Sequence, residues 1–165
     1  MPRKNRAEFS FASEPGDIIG RGLSRKYTQF DSEIRLHRLW EKNSIEFSIK
    51  RDPDDYWYLE FAAPKGQRLH SGTYKNATRY PFHADHNPGL AVHGSGRKSD
   101  EIYGEFTIRG IRFNRKGELV FFEADFVQHS GQPDTPALKG KIYFYRAARQ
   151  KLSSVESVQS EQSPT

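Results

Sequence analysis

The sequence predicts an all-β protein, a single antiparallel β-sandwich of about eight strands, from three observations. A long hairpin stands out: residues 102–109 and 118–127 alternate apolar and polar on either side of Asn114-Arg115-Lys116-Gly117, a Gly-bearing turn. Across residues 7–147, Tyr, Phe, Ile and Val recur in short runs between Gly, Pro, Asn and Asp. No segment carries a clean helical stripe; the single helical candidate is 32–40, where Ile34, Leu36 and Leu39 miss a regular face.

Taken in order, the strand candidates are 7–12, 24–30, 44–50, 56–63, 68–74, 102–109, 118–128 and 137–146. Alternation assigns the inward faces. Ile45, Phe47 and Ile49 share one side, and Trp57, Leu59 and Phe61 share another. In the hairpin the inward set is Val120, Phe122, Ala124 and Phe126; in the last strand it is Leu138, Gly140, Ile142 and Phe144. Asp52-Pro53-Asp54-Asp55 is a turn by composition. Residues 75–100 are rich in Gly, Pro, Asn and His and read as one long connection, the kind of segment that often carries function. The expected domain is 1–148; residues 149–165 contain no aromatic residue and read as a disordered tail.

Bulk properties narrow the function. The 165 residues contain no cysteine, which removes disulfides, Cys-ligated zinc and thiol nucleophiles. No apolar run reaches the length of a membrane span. The basic start, Met1 to Arg6, is followed by the alternating, charged stretch 7–11, so the chain reads as leaderless and cytoplasmic. The net charge of +5 arises from basic residues spread among nearly as many acidic ones, a pattern of solubility more than of nucleic-acid binding.

The expected function is a non-enzymatic module binding a small ligand or a protein through the 75–100 region, with Arg79, His83, His86 and Arg97 as binding residues. The two arginines suit a carboxylate or phosphate fork, and each could instead brace the loop through Asp85 or Asp100. His83-Ala84-Asp85-His86, with His93 and His70, has the composition of a metal site. Extended backbone would turn His86 away from His83 and Asp85, so the segment reads as a polar loop and no metal or cofactor is assigned. Gly94-Ser95-Gly96-Arg97-Lys98-Ser99 lacks the phosphate-loop spacing and reads as a turn.

Two alternatives stand beside this reading. Glu123 and Asp125 lie on one strand face, about 6.5–7 Å apart by strand rise, a spacing open to a carboxylate-dependent hydrolase or to a calcium site with loop oxygens, although a solvated strand face looks the same and is the more ordinary reading. Weak nucleic-acid binding would need Arg109, Arg112, Arg115, Lys139 and Lys141 on one surface. Tyr56, Trp57, Tyr58, Tyr74, Tyr80, Phe82, Tyr143 and Tyr145 could offer stacking faces to a sugar or a base, with Tyr143 and Tyr145, opposite the inward Ile142 and Phe144, the best exposed of them, although most sheet aromatics pack against neighbours. No nucleophile elbow or zinc-protease motif is present, and exposed sheet edges leave a homodimer open.

The stretch 72–82, together with Pro88-Gly89-Leu90, Gly104-Glu105-Phe106, residues 124–129 and Pro136-Ala137-Leu138-Lys139-Gly140, resembles an uncharacterised family of small bacterial β-sandwich proteins over about residues 56–146. The resemblance implies a bacterial β-sandwich and brings no activity or site residues. In that family pattern cysteines stand where this chain has Ser99 and Ser130. The hairpin turn, extrapolated along its strands, places these two serines near each other at its open end.

Overall fold

The computed structural model describes residues 4–147, which form ten strands and no helix. They are β1 (Arg6–Ser13), β2 (Ser24–Thr28), β3 (Glu33–Trp40), β4 (Ser44–Asp52) and β5 (Asp55–Ala62), then β6 (Gly72–Arg79), β7 (Gly89–Gly94), β8 (Ile102–Phe113), β9 (Leu119–Ser130) and β10 (Ala137–Tyr145). The all-β class holds, but the eight-stranded sandwich does not. All ten strands belong to one nearly closed, barrel-like sheet in the order β2-β1-β10-β9-β8-β6-β7-β5-β4-β3. The expected tail at 149–165 lies outside the described residues.

The physical reason for the difference sits at β6–β7. These strands are parallel and share just two residue pairs, Thr78↔Gly89 and Arg79↔Leu90. Beyond them β7 turns away, and Gln128, fully buried on β9, takes up its free edge. The Gln128 carboxamide accepts from the Val92 N–H and donates to the Val92 carbonyl, both at 2.8 Å. One sheet thereby folds over on itself. Its two halves meet through rings: Phe47 with Phe122 and Phe144, Phe61 with Phe106 and Phe126, and Phe11 with Trp57. Alternation reports that a face is buried, and both a sandwich and a folded-over sheet satisfy it.

The opposite seam is closed by side chains. Arg51 on β4 donates to the Lys26 carbonyl of β2 at 2.5 Å and lies 4.3 Å over the Tyr27 ring. Tyr27, fully buried, donates to Asp55 Oδ1 at 2.6 Å and accepts from Trp57 Nε1 at 3.0 Å. Burial, reinforced by the Asp55 carboxylate, pushes the Tyr27 phenol far above its ordinary range, so it stays a donor.

The hairpin forms as expected, with Asn114 Oδ1 accepting from the N–H groups of Lys116 and Glu118 and Gly117 at φ +82°. A register shift between Arg112 and Phe113 brings Leu119 into the core and leaves Val120 half-buried, correcting its inward assignment. Ser130 pairs with Ile102 instead of lying opposite Ser99, although the Glu101 carbonyl accepts from both Ser99 Oγ (2.5 Å) and the Gly131 N–H (2.9 Å).

Two further expectations change. The 32–40 segment is strand β3, with Ile34 and Leu36 packed against the core. A bulge between Leu36 and Arg38 resets its register, which is why its apolar spacing matched neither period in the sequence. The supposed long connection 75–100 contains the second half of β6 and all of β7.

Candidate functional site

The four expected binding residues sit in separate local roles. Arg79 pairs with Asp100 at 3.8 Å and lies over the Phe82 ring. Arg97 is a brace: Nε donates to the Ile19 carbonyl at 2.7 Å, Nη1 to the Ser95 carbonyl at 3.2 Å, and the guanidinium lies over Trp57. His83 stacks on Tyr80, and its ring fills the space beside Gly89, where an added Cβ would come within 2.5 Å. Its Nδ1 is buried without a hydrogen-bond partner, and burial holds the imidazole below its ordinary pKa against the opposing pull of Asp85. His86 is exposed.

Asp85 faces Lys65 at 3.7 Å, and His93 bonds Glu60 at 3.0 Å while stacking on Tyr58. Among the described residues, no group of three or more His, Asp or Glu side chains is placed to hold a metal ion. Of the hydrolase pair, Asp125 accepts from Arg109 Nε (3.1 Å) and Nη2 (2.8 Å), and Glu123 lines a small depression of about 120 Å³ with Arg6 and Lys141. Arg109 and Lys141 therefore stand among carboxylates and form no continuous basic surface there.

A groove of about 820 Å³ crosses the outer face of β6, β8, β9 and β10. Ala77, Gly104 and Ala137 line its base. Sheet register builds the walls. Thr78, Tyr103 and His129 are successive cross-strand partners, and the next row is Glu105, Val127 and Lys139. Lys75 and Asn76 enter from a bulge in β6 between Tyr74 and Ala77, where Asn76 adopts φ +60°. Asn87 donates to the Asn76 carbonyl at 3.3 Å, tying the turn before β7 to that bulge.

Several polar groups here keep unused capacity. His129 Nδ1 lies 2.6 Å from the Thr135 carbonyl. A carbonyl only accepts, so Nδ1 carries the hydrogen and a neutral His129 has its lone pair on Nε2. Glu14 accepts the Ala137 N–H through Oε1 at 2.6 Å and keeps Oε2 unbonded among the described residues. Tyr103 donates to Glu101 at 3.1 Å, and that carboxylate raises the phenol's pKa. Lys75, Lys139 and Glu105 form no ion pair within the described residues.

Sequence reasoning missed most of this set. Tyr103, Glu105, Val127, His129 and Lys139 share the outward parity of their strands, but only the register aligns them. Segment 75–100 does contribute, through Lys75, Asn76, Thr78 and Asn87 instead of the four residues first chosen. Among the described residues no helix is long and apolar enough to cross a membrane. The chain matches no protein-family model, no curated protein and no solved structure.

Proposed function

We propose that this protein is a non-enzymatic binding module whose ligand is a small organic acid with a hydrogen-bond donor, such as a hydroxy or amino acid. The groove over β6, β8, β9 and β10 is the site. One observation supports the reading most: two lysines and an imidazole acceptor that have no partner among the described residues, with two carboxylates, border a base of small residues. Lys75 and Lys139 suit the ligand's carboxylate, His129 Nε2 its hydroxyl or amine proton, and Glu14 and Glu105 an ammonium group.

The test is a thermal-shift screen of hydroxy, amino and dicarboxylic acids, followed by calorimetry on the hits. At least one acid binds with a Kd below about 1 mM. His129→Ala and Lys139→Ala each weaken it by roughly tenfold, the effect of one charge-assisted hydrogen bond. A screen with no shift, or a hit indifferent to both substitutions, would refute the reading.

A further inference from the structure

A second groove, of about 640 Å³, lies on the outer face of β3, β4 and β5, with a different construction. Tyr56 and Tyr58 present half-exposed rings there, 6.0 Å apart and inclined at 71°. Both rings are held from behind. Tyr58 stacks on His93 at 5.3 Å, and His93 is in turn fixed by Glu60 at 3.0 Å. Tyr56 accepts the Gly96 N–H at 3.1 Å. The two rings therefore form a rigid corner whose order is established before any ligand arrives.

The polar lining is already paired within itself. Arg35 Nη2 bonds Glu33 Oε2 at 2.5 Å, and His37 Nε2 bonds Ser48 Oγ. His37 reaches Ser48 from the bulge between Leu36 and Arg38. Lys50 is the one cation lining the groove with no ion pair among the described residues. A nucleic-acid strand needs a series of uncommitted cations for its phosphates, and one lysine does not supply it. An apolar peptide would strand the Arg35–Glu33 and His37–Ser48 pairs beneath it. A neutral polyol matches both features. Each of its hydroxyls donates and accepts, so it can meet both the donor Arg35 and the acceptor Glu33, and the C–H face of a sugar ring lies flat on an aromatic ring.

We infer that the Tyr56–Tyr58 corner is a saccharide-binding site, separate from the organic-acid groove. A pyranose stacks on one ring, edges against the other, and bonds its hydroxyls to Arg35, Glu33 and Ser48.

Native affinity electrophoresis of the full chain in gels containing neutral glucans, xylan or mannan tests this, with calorimetry on matching oligosaccharides. At least one polysaccharide retards the protein. Tyr58→Ala weakens that binding at least tenfold, Tyr58→Phe stays within about threefold, and His129→Ala leaves it unchanged. Because Tyr58 also packs on His93, Arg35→Ala serves as a second variant on an exposed side chain, with a loss of several-fold. The inference is overturned if no polysaccharide retards the protein, if retardation survives in both Tyr58→Ala and Arg35→Ala, or if single-stranded RNA binds more tightly than every saccharide.

Discussion

The two grooves lie on the outside of the same sheet, yet one holds uncommitted charge over a base of small residues and the other holds two rings beside charges already paired. Both stand next to a β-bulge, at Tyr74/Ala77 in β6 and at Leu36/Arg38 in β3. A regular strand sends alternate side chains outward in fixed rows; a bulge adds a residue and re-aims one of them. In β6 the re-aimed residues are Lys75 and Asn76, and in β3 the residue is His37. The contrast teaches that the outward face of a strand is free of core constraints, so its chemistry varies from groove to groove while the scaffold stays common.

The strongest way to break the comparison is at the base of the first groove. An added Cβ at Gly104 would come within 2.1 Å of the Val127 carbonyl oxygen, which belongs to backbone and cannot swing aside. Gly104→Ala should cost about 3 kcal/mol in urea unfolding. It should also abolish organic-acid binding while the Tyr56–Tyr58 corner keeps its ligand. Equal loss at both grooves would show that the two are not independent.

A somewhat smaller effect is expected at the joint that lets one sheet carry both surfaces. Gln128→Leu leaves the Val92 N–H and carbonyl buried without partners and should cost about 2 kcal/mol. Hydrogen exchange should then rise first along β7. Unchanged protection of Val92 would mean that β7 is held by its pairing to β5 alone.

At the bulge itself, Asn76→Gly removes the left-handed strain at φ +60° and should change stability by less than about 1 kcal/mol. Asn76→Val, which tolerates that conformation poorly, should destabilise more and weaken the organic-acid site. Indifference of binding to both would detach the bulge from the groove.

The smallest effect concerns pH. Burial lowers the His83 pKa from 6.5, so the unfolded chain takes up this proton more readily than the folded one. The associated stability is complete above the unfolded value and declines as pH falls through the lower folded value. The urea midpoint of the natural chain should therefore drop between pH 7.5 and pH 5.5, and His83→Phe should flatten part of that slope. A slope unchanged in the variant would assign it to other groups.

Much of the scaffold was legible because its signals are local. The hairpin announced itself through Asn114, Gly117 and the alternation ending in Phe122, Ala124 and Phe126, all buried. Val120 was misplaced because a bulge at Arg112/Phe113 is a one-residue event that leaves no mark in composition. Strand β3 was mistaken for a helical candidate for the same reason. Of the expected binding residues, Arg79 and Arg97 turned out to brace loops, an option their type already allowed. Lys139 entered the sequence reading only among the cations of a nucleic-acid surface, and His129 was not singled out as a binding residue, since an outward His or Lys on a strand is ordinary until its cross-strand neighbours are known.

By itself the sequence determined that the chain forms β-strands, most of the inward residues of four of them (β4, β5, β9 and β10), and where the main turn falls, because two-residue periodicity and turn chemistry act within a few residues. Tertiary structure alone decided that ten strands form one folded-over sheet, that Gln128 replaces a missing strand partner beside Val92, and which outward side chains share a groove. Those outcomes depend on register between segments distant in the chain, and a slip of one residue would exchange every inward side chain for an outward one.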